Sequence, residues 1–70
     1  MEINIKNLEK LLNKDFDGNM TAMARAFHVC REEVRHVFRT KKFGKIFISG
    51  ILEYCHKKNL KFDDYFIFLD

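Results

Sequence analysis

The basic side chains of this chain are concentrated in one segment of its sequence. Residues 25–45 contain seven Lys and Arg residues against two Glu residues, a net charge of +5, whereas the whole chain carries +3. All four arginines lie in this segment. Arginine suits phosphate groups and the edge of guanine, because its planar guanidinium can donate two parallel hydrogen bonds. The segment therefore favours a polyanion as partner, although a solvated helix face explains most runs of charge.

Helical spacing predicts which of these residues face outward. If Val34, Val37 and Phe38 point to a core, a rotation of 100° per residue directs Glu32, His36 and Arg39 to the solvent. Arg31 and Arg35 then lie along one flank of the same helix. Two like charges four residues apart slightly destabilise a helix. A role in binding would explain why the chain has Arg31 and Arg35 in spite of this cost. The alternative is that they are only solvated.

Two short amphipathic helices must position this face. Apolar residues recur at i, i+3, i+4 and i+7 from Met20 to Phe27, and Val34, Val37 and Phe38 repeat the spacing i, i+3 and i+4. The three residues between the two predicted helices are His28, Val29 and Cys30, and they predict a tight turn and a helix-turn-helix. Asn19 fits the N-cap of the first of these helices. Cys30 fits the N-cap of the second, where a thiol is a weak acceptor, so we expect it to be a core residue instead.

Three further helices are expected around this pair, which gives an all-α, five-helix fold in a single domain over residues 1–70. The first covers residues 2–14, and the last is a short helix over residues 62–66. The fourth is the central core helix and ends in His56-Lys57-Lys58-Asn59, a basic terminus followed by a residue that tolerates a left-handed conformation. Its predicted inner stripe comprises Phe47, Ile48, Ile51, Leu52 and Cys55.

Composition argues against several classes of protein. The chain has no run of about 18 apolar residues and no signal peptide, and its two cysteines form no disulfide-rich pattern, so we expect a cytoplasmic protein. The spacing of its cysteines and three histidines matches no usual zinc site. The single serine, Ser49, has no recognisable base, and there is no Gly-rich phosphate loop. We therefore expect no enzyme, no cofactor and no metal.

The sequence resembles the lambda-repressor-like (Cro/CI, or Xre) helix-turn-helix domain over about residues 2–66. The matching residues are Met23-Ala24, the turn Phe27-His28-Val29-Cys30, Val34, the later helix ILEYCHKKNL and the acidic segment FDDYF. The resemblance implies a compact five-helix bundle that dimerises and binds a palindromic operator, as phage and mobile-element regulators do. The chain departs from the family by having His28 where Gly is favoured and Met20 where Gln is common, and it has no basic N-terminal arm.

These observations predict a sequence-specific regulator of transcription that binds double-stranded DNA as a homodimer, most simply as a repressor. The third helix would enter the major groove and read an inverted repeat with half-sites about 34 Å apart. The predicted base-reading residues are Arg31, Glu32, Arg35 and His36. The predicted phosphate-binding residues are Asn19, Thr21, Arg39, Lys41, Lys42 and Lys45. The predicted dimer surface is the apolar run Phe66, Ile67, Phe68 and Leu69.

Two alternatives remain open from the sequence. The same bundle could serve as a protein-interaction module, such as an inhibitor or an antitoxin-like adaptor, or it could be the N-terminal DNA-binding domain of a longer protein. The role of Glu32 is also open. It could accept a hydrogen bond from a cytosine amino group, or it could pair with Arg35 or His36 and steer the arginine. Glu33 fits a cap at the start of the helix better than a base reader.

Overall fold

The computed structural model describes residues 1–68 and is mostly helical. Helices account for most of this part of the chain, and a 3-10 turn and two short strands follow or precede them. The helices are α1 (Ile5–Phe16), α2 (Met20–Phe27), α3 (Arg31–Thr40) and α4 (Lys45–Lys58). The strands are β1 (Glu2–Ile3) and β2 (Phe66–Ile67), and the 3-10 turn is Phe62–Asp64.

The prediction of a mainly helical fold is confirmed, but residues 1–68 contain four α-helices and not five. Residues 2–3 pair with residues 66–67 as an antiparallel two-stranded sheet, so α1 starts at Ile5 and not at residue 2. Ile3 is buried, and its partner in the sheet is Phe66, which lies 63 residues later in the chain. The expected last helix is a three-residue 3-10 turn, because the chain extends into β2 directly afterwards. Residues 1–68 therefore form four α-helices, a 3-10 turn and a small two-stranded sheet.

Helix boundaries follow the local chemistry of the sequence. The Asn4 and Asn19 side chains accept backbone N–H groups at the starts of α1 and α2, which confirms Asn19 as an N-cap. Each of the four helices ends in a residue with left-handed backbone geometry: Asp17, His28, Lys41 and Asn59, with φ between 56° and 62°. Asn and Asp tolerate this geometry well, and His is better suited to it than most residues.

The core forms around the end of α2, where it crosses α4. Phe27 is fully buried and lies edge-on to Phe47 and Tyr54, with ring centroids 5.7 Å and 5.3 Å away. Gly50 in α4 approaches the same part of α2 so closely that an added Cβ would lie 2.0 Å from the Phe27 carbonyl oxygen. Glycine is thus needed here because the two backbones touch, not because of its φ angle.

The inner face of α4 differs from the predicted stripe. Gly50 and Tyr54 belong to it, whereas Leu52 is 49% exposed and Ile48 is only half-buried. The Tyr54 hydroxyl donates a hydrogen bond of 2.7 Å to Asp15 Oδ2 and so joins α4 to the end of α1. Burial, together with this bond, raises the pKa of Tyr54 above its ordinary value of 10.0.

The apolar run at the end of the chain is divided between core and surface. Phe66 is buried and stacks on Phe62 with ring centroids 4.5 Å apart, so its predicted place in a dimer surface is wrong. Its side chain is used to close the monomer core. Ile67 and Phe68 are 44% and 59% exposed. Leu69, the remaining residue of that prediction, lies outside the described residues. Within residues 1–68, no helix combines the length and the hydropathy needed to cross a membrane.

Candidate nucleic-acid interface

The connection between α2 and α3 has the predicted length of three residues. The Val29 N–H donates to the Ala24 carbonyl at 2.9 Å, and the His28 N–H donates to the Arg25 carbonyl at 3.2 Å. These bonds satisfy the last carbonyls of α2 while His28 turns the chain with φ 58°. Val29 packs partly against the core, which holds the turn in place between the two helices.

One face of α3 is buried and the opposite face carries the charges. Val34 and Val37 are fully buried, as the spacing predicts. The exposed residues of the helix include all of its arginines, its only histidine and one glutamate. They are Arg31, Glu32, Arg35, His36 and Arg39. The predicted base-reading residues therefore lie together on one solvent-facing surface, which we call the α3 face.

A single ion pair modifies the charge of the α3 face. Arg35 Nη1 lies 3.9 Å from Glu32 Oε1, and this is the only salt bridge within residues 1–68. Glu33 is half-buried and takes part in no side-chain hydrogen bond in that part of the chain. The predicted capping role of Glu33 therefore has no hydrogen bond behind it.

Cys30 lies at the N-cap of α3, and its side chain makes no capping hydrogen bond. The prediction that it belongs to the core is wrong, because the thiol is exposed. An N-cap residue has extended backbone geometry, so the helical stripe of α3 does not continue back to it. Cys55, by contrast, is buried in α4, where burial raises the pKa of its thiol.

The basic loop after α3 has a defined conformation. The Thr40 hydroxyl donates to the His36 carbonyl at 2.8 Å and accepts the Lys42 N–H at 3.2 Å. Phe43 lies between the lysines in sequence but packs inward, with its ring 5.2 Å from that of Phe66. The loop cations Lys41 and Lys42 are exposed, and so is Lys45, the first residue of α4. The sequence patterns did not predict the hydrogen bonds of Thr40 or the packing of Phe43, although an aromatic residue inside a basic loop is a signal of such packing.

The starts of α2 and α4 differ in how their N–H groups are satisfied. Asn19 Oδ1 accepts from the N–H groups of Thr21 and Ala22 at 2.9 Å and 3.2 Å, so the oxygen of this predicted phosphate ligand is already used. Thr21 is exposed beside it. Gly44 begins α4 without any side-chain cap, next to Lys45. First-turn N–H groups that lack a cap can donate to a phosphate.

A shallow apolar groove lies between the α2–α3 turn and the start of α4. It has a volume of about 660 Å³ and is lined by His28, Val29, Cys30, Glu33, Gly44, Lys45 and Ile46. Ile46 is the most exposed large apolar residue in residues 1–68, at 71%. Sequence reasoning did not find this groove, because its residues come from two separate elements. The described residues bring together no cluster of three His, Cys, Asp or Glu side chains that could hold a metal ion.

Comparisons with protein-family models, with curated proteins and with solved structures each give no match for this chain.

Proposed function

We propose that this chain is a sequence-specific, double-stranded-DNA-binding regulator of transcription, which acts as a repressor through a palindromic operator. The α3 face carries this proposal. It presents three arginines on one exposed surface, and exposed lysines continue the positive charge into the loop beyond. Only one of these arginines has an acidic partner in the described part of the chain.

The dimensions and chemistry of α3 suit the major groove. Ten residues give a helix about 15 Å long, and a groove about 12 Å wide admits a helix. Arg31 and Arg35 would donate to guanine edges, while Glu32 and His36 lie beside them on the exposed surface. A bidentate arginine–guanine contact gives about 1–3 kcal/mol of discrimination against a wrong base.

Phosphate contacts would fix the orientation of α3 in the groove. Arg39, Lys41 and Lys42 follow the base-reading residues along the chain, and the Thr40 hydrogen bonds hold this part of the loop in one conformation. Lys45 and the uncapped start of α4 would bind a further phosphate. Thr21 and the amide nitrogen of Asn19 would contribute at the start of α2.

A palindromic operator requires two copies of the chain. Ile67 and Phe68 remain exposed in β2 and just after it, and we propose them as part of the surface between copies. Two copies would place their α3 helices in successive major grooves, about 34 Å apart.

Selection of bound duplexes from a random pool tests this function. We expect an inverted repeat, with an affinity whose logarithm falls linearly with the logarithm of salt concentration, by about 0.9 for each phosphate contact. Recovery of no preferred duplex, and no binding at low salt, would refute the proposal.

Charge reversal locates the binding surface. Arg31→Glu with Arg35→Glu should abolish binding to the selected duplex. The matched control is Lys10→Glu with Lys14→Glu, which makes the same change of charge at the same i, i+4 spacing on α1. Circular dichroism checks that both variants fold. Equal loss of affinity in the two variants would contradict the assignment of the α3 face.

A protein-interaction module is the second candidate, and the groove beside the α2–α3 turn favours it. The Ile46 side chain is 71% exposed and has no part in the proposed DNA contacts, although Lys45, a proposed phosphate ligand, lines the same groove. Ile46→Ser should leave duplex binding unchanged. If this substitution abolishes the biological activity while charge reversal on the α3 face does not, the interaction module is the better assignment.

A further inference from the structure

The α3 face contains one acidic residue among its cations, and that residue is well exposed. The side chain of Glu32 is 77% exposed, and that of its partner Arg35 is 52% exposed. The neighbouring acid, Glu33, is turned partly toward the protein. A surface that bound only phosphates would be weakened by a carboxylate in this position, so the charge of Glu32 has to be accounted for in another way.

Stability of the fold does not account for it. An exposed i, i+3 ion pair at 3.9 Å contributes little, because water screens both charges. An acidic residue in the first turn of a helix is favoured by the helix dipole, but Glu33 supplies the same charge one residue later. Glu32 is thus free to serve recognition.

Contact with Glu32 limits where the Arg35 guanidinium can go. A free arginine on this surface could reach any nearby phosphate, which would strengthen binding to every sequence equally. The Arg35 guanidinium lies 3.9 Å from the Glu32 carboxylate, which is one helical turn earlier on the same exposed face. This attraction adds little to stability, but it favours the orientations of the Arg35 guanidinium that lie over the α3 face, and these point toward base edges rather than the backbone.

We infer that Glu32 is a specificity-determining residue of the α3 face, which accepts a hydrogen bond from a cytosine amino group and holds Arg35 toward the guanine of a neighbouring base pair. This inference rests on the proposed DNA-binding function. A carboxylate is an acceptor only, and the cytosine amino group is the donor that a G·C pair presents in the major groove. On other sequences the same carboxylate meets no donor and is repelled by phosphates, so Glu32 weakens binding to those sequences selectively.

The test compares Glu32→Gln with Glu33→Gln. Both substitutions remove one negative charge from the first turn of α3, so they alter the helix dipole and the net charge alike. Each variant is titrated against the duplex selected by the wild-type chain, against that duplex with each base pair changed in turn, and against a random duplex. Circular dichroism reports the stability of the helix separately.

Glu32→Gln should lose discrimination at one C·G pair, because an amide can donate to adenine as well as accept from cytosine, and at the adjacent guanine, because it no longer attracts Arg35. The expected loss is roughly 5- to 150-fold at each. It should also bind the random duplex more tightly than the wild-type chain does. Combination with Arg35→Met should add little further loss at the guanine position, because Glu32 acts there through Arg35. Glu33→Gln should keep the wild-type base preferences.

Three results would overturn the inference. Glu32→Gln and Glu33→Gln could shift all affinities equally, which would leave only an effect of charge. Glu32→Gln could keep every base preference of the wild-type chain. If the wild-type chain binds no duplex at all, the proposed function itself fails, and that outcome is distinct from the other two.

Discussion

Substitution of Gly50 by alanine should destabilise the fold severely, although alanine is the better helix former. In an ordinary helix interior this change stabilises by about 1 kcal/mol. At Gly50 the new Cβ would lie 2.0 Å from the Phe27 carbonyl oxygen and 3.1 Å from the Phe27 Cβ. The obstacle at the shortest distance is backbone in α2, so no rotation of a side chain can relieve it, and α2 and α4 would have to separate by more than about 1 Å.

Overpacking of a core typically costs about 1–3 kcal/mol, and the cost here belongs at or above the upper limit because a backbone atom must move. After subtraction of the gain in helix propensity, we expect a net loss of about 2 kcal/mol or more. A chain of 70 residues has a free energy of unfolding of about 3.5–10 kcal/mol. The loss therefore removes a large fraction of the stability of this chain.

Thermal denaturation followed by circular dichroism measures this effect. A loss of about 2 kcal/mol corresponds to a fall in Tm of about 8–16 °C for a domain of this size. Gly44→Ala is the matched control, since an added Cβ at Gly44 meets no atom within 4 Å, and a change below about 1 kcal/mol is expected there. A Gly50→Ala variant with the Tm of the wild-type chain, or a higher one, would show that α2 and α4 do not cross as described.

Two further predictions concern a helix cap and a buried hydroxyl. Asn19→Ala should lower the free energy of unfolding by about 1 kcal/mol, because the N–H groups of Thr21 and Ala22 lose their acceptor. Thermal denaturation measures this loss, and an unchanged Tm would contradict the capping role of Asn19. The raised pKa of Tyr54 means that the folded state holds the hydroxyl proton more tightly, so the stability it contributes is complete below its ordinary pKa of 10.0 and is lost as pH rises above that value. Urea denaturation of Tyr54→Phe across this range should show a smaller alkaline loss than the wild-type chain, and an identical loss in both would contradict the role of the Asp15–Tyr54 bond.

Local patterns were sufficient to predict α2, α3 and the connection between them. The apolar spacing of both helices continues through the buried residues Phe27, Val34 and Val37, and Asn19 caps α2 through its own neighbours. The outward direction of the α3 face follows from the same spacing. Where the direction of a side chain depends on a single helix, the apolar periodicity of the sequence is enough to predict it.

The error at Cys30 is local, because an N-cap residue leaves the helical stripe. The other errors have one physical origin, which is contact between distant parts of the chain. Strands of two residues carry no periodicity, and β1 exists because Ile3 meets Phe66. The inner face of α4 was misplaced because Gly50 does not count as apolar, yet its lack of a side chain lets α2 approach. The burial of Phe66 likewise depends on its ring contacts with Phe43 and Phe62, which belong to separate parts of the structure.

These same contacts determine how rigidly the α3 face is presented. The approach of Gly50 to Phe27 fixes the position of the end of α2. Only three residues connect α2 to α3, so the direction of α3 depends on the crossing of α2 and α4. The packing of Phe43 on Phe66 fixes the basic loop at the other end of α3. Cations held from both ends lose less conformational entropy on binding than cations on a free loop. Under the proposed function, substitution of Gly50 or Phe43 is expected to lower the affinity for DNA although neither residue contacts DNA, and a variant of either that folds but binds weakly would reveal this contribution.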